Sequence, residues 1–269
     1  MRRIDHDRFL SVLFAAEQDR EHLFALYAFN IEIARIPGQV SEPMLGEIRL
    51  QWWREGIEAV YDGATMRVHP VLQPLEQAIR ARSLPRRPFD AMIDAYSAAL
   101  TTTQPASLAE LETRQHAISG GVMRLAAEIT GGGEMADTGL PHAAIAWGLC
   151  GILRNIGFHA SQQHIILPGD VMNAEGVTAQ SILGCQNSPE LQKVIKAMAL
   201  RAESHMAAAR KALPPLPRQN MAALLPATLT KLYLRQMSRP DYDPFAVRPP
   251  LPAFQRQSRM AWAMWRRRI

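Results

Sequence analysis

The histidines, cysteines, Ser119 and the glycine runs are the residues whose types could do chemistry, and each set lacks the spacing that its chemistry needs. His159 and His164 stand five apart, and none of the eight histidines falls in an H-E-x-x-H or comparable arrangement, so ordinary structural roles are expected for them. Ser119, in AISGGVM, has glycines beside it but no G-x-S-x-G elbow and no strand to carry one, which argues against an activated nucleophile. Gly131 to Gly133 follow a helical pattern and lack the Lys-Ser/Thr of a phosphate loop, so they read as a helix stop. Cys150 and Cys185 form no C-x-x-C pair, and neither a disulfide framework nor zinc is expected.

Ala144 to Pro168, AIAWGLCGILRNIGFHASQQHIILP, is more informative. Gly151, Asn155 and His159 recur every four residues and so share one face of a helix, with Arg154 beside them. A carboxylate face there could hold Mg²⁺. An Asn carbonyl is at best an auxiliary ligand for that hard cation, and an imidazole is a poor one. Trp147, Leu149, Ile152, Leu153 and Ile156 surround these positions, so the alternative is that the helix is simply core. Nearer the N-terminus, Ala25 to Gly38 reads ALYAFNIEIARIPG. Pro37 lacks an N–H and disfavours helical angles at Ile36, which predicts a helix end there. Arg35 either touches an anionic head group or pairs with Glu32, three residues earlier.

These two stretches, in this order, resemble the two signatures of the squalene/phytoene synthase family. The first signature reads roughly A-[IL]-Y-A-F-C-R-x-x-D-D-x-x-D. Leu26, Tyr27, Ala28 and Phe29 agree with it, as does Arg20 before them, but Ala34, Arg35 and Gly38 stand where the family has Asp. The second runs N-I-L-R-D-x-x-E-D through a basic stretch to L-P. Ile152, Leu153, Arg154, Gly157, Leu167 and Pro168 agree, while Gly151 replaces Asn, Asn155 and His159 replace the two Asp, and Phe158 replaces Glu. Pro43 to Gly63 is similar to the family's next helix with its Trp-Arg pair, and the match is traced from about Phe9 to about Thr178.

The resemblance implies an all-α, single-domain, isoprenoid-synthase-type helical bundle around a central cavity. Phe29-Asn30-x-Glu32, the missing acids and the Gln51-Trp52-Trp53-Arg54 segment make the chain similar to the family's non-catalytic branch, mitochondrial respiratory complex I assembly factors and their bacterial relatives. That implies a pseudoenzyme without a cofactor, whose partner is a complex I subunit or assembly intermediate, or which binds an isoprenoid-like ligand. Tyr27, Glu32, Arg35, Arg54, Arg154 and Asn155 are the candidate cavity or anion contacts. The alternative is a Mg²⁺-dependent head-to-head prenyltransferase, in which Glu32, Asn155 and distant acids such as Asp170 would have to rebuild a metal site.

Helical spacing runs through the remaining chain, with almost no strand-like alternation. Ser41 before Pro43 starts a helix whose Leu45, Ile48, Trp52, Gly56 and Ala59 form a packing stripe. Leu108, Leu111, Ile118, Val122 and Leu125 predict one long helix, Leu191 to Ala209 a second that ends before Pro214, and Asn220 to Gln236 a third. Residues 1–240 therefore form the helical domain, and 241–269 a proline-rich connector with a basic tail, AWAMWRRRI. Trp262 and Trp265 share a face there, and with Arg266, Arg267 and Arg268 they form a candidate membrane contact; otherwise both indoles pack on the body.

With 269 residues, 48% hydrophobic and 20% charged, the chain can bury one large core, and it has no apolar run of membrane-spanning length. The first residues carry acids too early for a secretory signal, so a cytoplasmic protein is expected, with peripheral contact at the inner face of the membrane. The net charge is +5, but Lys is scarce and Arg is dispersed, so nucleic acid is not an expected partner.

Overall fold

The computed structural model describes residues 3–40, 42–65, 68–102, 104–133, 135, 138–247 and 251–269. The three- and four-residue apolar spacing resolves into α1 (His6–Leu13), α2 (Glu17–Arg35), α3 (Pro43–Asp62), α4 (Leu72–Arg82), α5 (Arg87–Thr101), α6 (Leu108–Gln115) and, after a π-helical turn at His116–Gly120, α7 (Gly121–Ile129). The second half comprises α8 (Leu140–Arg154), α9 (Ile156–Ser161), α10 (Gly169–Ala174), α11 (Ala179–Leu183), α12 (Pro189–Ala212), α13 (Arg218–Thr228), α14 (Thr230–Met237) and α15 (Ala253–Arg266). Every regular element among the described residues is helical. The all-α bundle expected from the sequence is what the chain forms.

Leu23, Leu26, Phe29 and Ile33 put one face of α2 wholly in the core, where the Phe29 ring meets Trp53 and Phe89 edge-on at 5.3 and 5.5 Å. Leu191, Val194, Ile195, Met198, Ala202, Met206 and Ala209 bury one stripe of α12 as expected, and that stripe lies mainly along α8. The helix stops after Ala212, ahead of Pro214.

Several expectations need correction. α2 ends at Arg35 as expected, but Ile36 keeps helical angles (φ −56°, ψ −50°) despite the following proline. The chain instead leaves α2 through a turn in which Gln39 N–H bonds Ile36 C=O at 3.0 Å, and Pro37 takes the turn position its fixed φ suits. The long helix from Leu108 is interrupted by the π turn, and the helix from Asn220 is split at Leu229, three residues after Pro226 removes a donor. Ser41 lies outside the described residues. The α3 stripe holds only in part: Gly46, Leu50, Trp53, Ile57 and Val60 face the core, Trp52, Gly56 and Ala59 are half-buried beside them, and Leu45 and Ile48 are exposed. Gly46 decides this, because a Cβ there would sit 2.5 Å from Leu100 Cδ2, so that side can press on α5 while the larger residues turn outward.

One polar cluster ties the α8–α12 seam. His142 and His205 hold their Nδ1 atoms 2.9 Å apart, and His205 Nε2 lies 3.3 Å from Glu112 Oε1 of α6, itself bonded by Arg201 at 2.5 and 2.9 Å. Burial lowers the His205 pKa, opposed by Glu112. The folded state therefore favours neutral imidazole, while the unfolded chain takes up a proton near the ordinary value of 6.5. This contribution to stability is present at neutral pH and is lost as pH falls below that value. The urea midpoint should be lower at about pH 5.5 than at about pH 7.5, with a shallower dependence in His205→Gln. Identical pH profiles for the two proteins would contradict this account.

Candidate functional site

A cavity of about 550 Å³ opens between α1, α2, α5, the π turn, α8 and α14. Its first wall is set by a helix break. The Asn155 backbone sits at φ −110°, ψ 12°, and its Nδ2 donates to Gly151 C=O at 2.8 Å, taking the carbonyl that the next helical N–H would have used. α8 ends there and α9 begins, with His159 N–H bonding Asn155 C=O at 3.0 Å. The break corrects the expectation of one continuous helix, yet Gly151, Asn155 and His159 still line the same cavity. The amide does what a carboxylate at this position could not, because a carboxylate has no donor to give.

Across the cavity stands a network that the sequence did not reveal. Asp7, on the buried side of α1 with Leu10 and Ser11, accepts from Arg256 Nη1 at 2.9 Å, from Tyr233 Oη–H at 2.6 Å, and from Arg154 Nη1 at 3.4 Å. Arg154 also lies 3.8 Å above the Tyr233 ring, and burial pushes the Tyr233 hydroxyl pKa well up, keeping it a donor. An acid on the apolar face of a short helix is the only sequence signal for this network. Its partners stand 147 to 249 residues away, beyond the reach of spacing arguments. The cavity wall holds Arg3, Arg8, Arg114, Arg154 and Arg256 against two carboxylates, Asp5 and Asp7, and Glu110 just outside the lining pairs with Arg114 at 3.1 Å. Asn30 Oδ1 and Arg256 Nε are buried without a hydrogen-bond partner among the described residues. Burial, then His164, pushes the His159 pKa down, so its ring is neutral at pH 7.

Of the positions matching the first motif, Ala34 lines the cavity with Pro37, while Arg35 and Gly38 are exposed outside it. Arg154 and Asn155 line it as expected, and four other candidates do not. Tyr27 is core, its hydroxyl pushed up to about 12 by burial, and lies under Arg8. Arg54 reaches Asp94 at 2.8 Å instead. Glu32 lines a separate groove with Trp52 and Trp53, and among the described residues it makes no ion pair with Arg35. For Tyr27 and Glu32 the cause is shared: α2 turns its buried stripe to the core and its remaining faces to two different hollows.

Mg²⁺ demands anionic oxygens with free lone pairs. Asp7 is taken by two arginines and a tyrosine, and Asp5 caps α1 through Arg8 N–H at 3.0 Å. Asp170 lies outside the cavity, accepting from Leu108 N–H at 3.0 and 3.2 Å. Among the described residues no group of three or more His, Cys, Asp and Glu is arranged to hold a metal ion. The residues present do not fit a Mg²⁺-diphosphate centre.

At the C-terminus, α15 buries Arg256, Met260 and Ala263 and turns Phe254, Trp262 and Trp265 outward; the indoles are 50% and 65% exposed and 5.1 Å apart. Packing of both indoles on the body is thus overturned. Arg266 lies over Trp262 at 5.7 Å, and Arg268 is exposed. Arg267 is fastened, its Nε donating to Leu216 C=O at 3.1 Å while Leu216 N–H donates to Arg267 C=O at 2.9 Å. No helix among the described residues is long and apolar enough to cross a membrane.

Comparison with known proteins accords with this architecture. The chain is 30% identical over 247 residues to NADH dehydrogenase (ubiquinone) complex I, assembly factor 6 of Mus musculus, covering 91% of this chain and 74% of that one. It is 29% identical over 216 residues to presqualene diphosphate synthase of Rhodopseudomonas palustris, covering 80% and 76%. A dehydrosqualene synthase crystal structure superposes with a TM-score of 0.83 at 16% identity, over 97% of this chain and 91% of that one. The squalene/phytoene synthase family model matches residues 1–266, well past the limit near Thr178 expected from the motifs. The chain belongs to the squalene/phytoene synthase family.

Proposed function

We propose that this protein acts in the assembly of respiratory complex I as a non-catalytic member of its family, using the cavity to bind rather than to ionise. The observation that carries this reading is the lining of the cavity, where arginines outnumber carboxylates and the matching acid positions hold Ala34, Asn155 and His159. Ionising a diphosphate needs a cation cluster held by acids, and among the described residues Asp5 and Asp7 of the cavity wall are already taken by other partners. The likeness to complex I assembly factors supports the reading. An isoprenoid-like ligand belongs to the same proposal, with Ile118, Ile152 and Ile166 available to its tail. A subunit or assembly intermediate has a surface to engage in Met44, Leu45 and Ile48, an outward apolar stripe beside the groove that Trp52 lines.

The test is a strain lacking the gene, assayed for assembled NADH:quinone oxidoreductase and complemented in trans. Complementation is expected from the wild type and not from Ile48→Glu, whose melting temperature should be unchanged. Purified protein given farnesyl diphosphate and Mg²⁺ should release no pyrophosphate. Robust turnover would establish the prenyltransferase alternative instead.

We further infer peripheral contact with the inner face of the cytoplasmic membrane through α15, supported by Trp262, Trp265 and the neighbouring Arg266 and Arg268. Removing the tail is a poor test, since Arg256 and Met260 are core. Trp262→Ser with Trp265→Ser should instead abolish sedimentation with anionic liposomes and leave the fold intact; undiminished binding would reject the contact.

A further inference from the structure

We propose that a hollow between α12 and α14, separate from the central cavity, binds one phosphate group, the head group of an anionic lipid or a free phosphate ester, through Arg210, Lys231 and the Thr230 hydroxyl. The site depends neither on the assembly reading nor on the α15 indoles.

Arg is spread along the chain, but the acids are not. From Ser204 to Ile269 the sequence carries twelve Arg and Lys against two acids, Asp241 and Asp243, whereas the residues up to Glu203 carry five more acids than bases. α13, α14 and α15 hold no carboxylate side chain, so their basic residues find few partners where they meet α12. Arg259 of α15 shows the result: burial, then Arg210 and Arg235, push its pKa down, and no acid opposes them. Its Nε donates to Thr228 C=O at 3.1 Å instead.

The hollow encloses about 250 Å³ and is lined by Glu203, Met206 and Arg210 of α12 and by Thr230, Lys231 and Leu234 of α14. Thr230 has no exposed surface, and its hydroxyl makes no hydrogen bond among the described residues. Thr228, two residues earlier, donates back to Leu225 C=O at 2.6 Å, as a helical hydroxyl ordinarily does. A buried O–H without an acceptor, lining a basic hollow, suits a ligand oxygen with lone pairs to spare. Arg210 is exposed, and its Nε donates to the Ile269 main-chain oxygen at 3.1 Å. That bond anchors one edge of the guanidinium and leaves the Nη groups for a ligand. Lys231 is exposed and makes no ion pair among the described residues. Arg268 lines an adjoining hollow with Arg210 and joins the site to the basic end of α15. The opposing groups are Glu203 and the main-chain oxygens of Ile269, outnumbered by the cations around them. A guanidinium, an ammonium and a hydroxyl around one hollow match the several acceptor oxygens of a phosphate better than the two of a carboxylate.

The experiment pairs calorimetric titration of the full chain with glycerol 3-phosphate and flotation with phosphatidylcholine vesicles, with and without phosphatidic acid. Binding of glycerol 3-phosphate identifies a free phosphate ester as the source, and binding confined to phosphatidic acid vesicles identifies a lipid. Both results support the proposal. In the assay where the wild type binds, Arg210→Gln and Lys231→Gln should each lose roughly tenfold in affinity. Thr230→Val should lose affinity several-fold with no fall in melting temperature, since its hydroxyl has no partner in the free protein. Lys211→Gln removes the same charge from an exposed position of α12 outside the hollow, and should cost roughly twofold or less. Binding of neither probe, with vesicles judged against phosphatidylcholine alone, would overturn the proposal. So would equal losses in Arg210→Gln and Lys211→Gln, or unchanged affinity in Thr230→Val. Vesicle binding lost in Trp262→Ser with Trp265→Ser but normal in Arg210→Gln would sink this site alone, and the reverse pattern the indole contact alone.

Discussion

Asp7→Ala is expected to cost about 3–5 kcal/mol of unfolding free energy, the range for removing one partner of a buried ion pair. The side chains of Asp7 and Arg256 are 5% and 8% exposed, so without the carboxylate the Arg256 guanidinium is left charged in the interior with its Nε already unpartnered. Tyr233 loses its acceptor and Arg154 its tether in the same step. The penalty is that of an uncompensated charge and not the worth of the contacts themselves. The double replacement Asp7→Leu with Arg256→Met should therefore be less destabilised than Asp7→Ala, provided the volumes pack. Guanidinium titrations of the three proteins decide the matter. A loss below about 1 kcal/mol for Asp7→Ala would mean that water reaches Arg256. Because the network joins α1, α14 and α15 behind the cavity, the same substitution should also loosen the C-terminal helix, seen as faster amide exchange in Met260 and Ala263.

That network marks the limit of what the sequence discloses. Local periodicity exposed the helices, because a helix buries residues three and four apart and α12 has little else to decide its orientation. On α3 it misplaced Leu45 and Ile48, because two apolar stripes compete there and Gly46, a residue without a side chain, lets the other one press on Leu100. Asn155 and His159 were legible as neighbours since four-residue spacing survives the break between α8 and α9. Asp7, Tyr233 and Arg256 were not, since their pairing depends on how α15 folds back across α13 and α1. The fold was thus readable from near-neighbour patterning and from motif order. The electrostatics of the cavity, which decide its chemistry, come from residues at opposite ends of the chain.

The motif frame and the motif acids answer to different demands, and Phe29→Ala with Ala34→Asp separates them. Phe29 is fully buried between Trp53 and Phe89, so its truncation leaves a cavity and breaks two edge-on ring contacts. A loss of about 3–5 kcal/mol is expected by denaturant titration. Ala34, five residues on, is exposed at the cavity rim, and an aspartate there should change stability by no more than about 0.5 kcal/mol. Frame residues such as Leu26, Phe29, Leu153 and Leu167 are fully buried, so the core needs them whatever the cavity does. Positions 34, 155 and 159 lie outside that core, so their residue types are free to follow the chemistry of the cavity. Acids at these positions need not bring chemistry: in Ala34→Asp, Asn155→Asp, His159→Asp, the new carboxylates face Arg154 and Arg256 across the cavity and pair with guanidinium before they can share a cation. The triple variant should remain unable to release pyrophosphate from farnesyl diphosphate in Mg²⁺, and vigorous release would show that the arginine wall, here taken as the feature that sets the chemistry, is incidental to it.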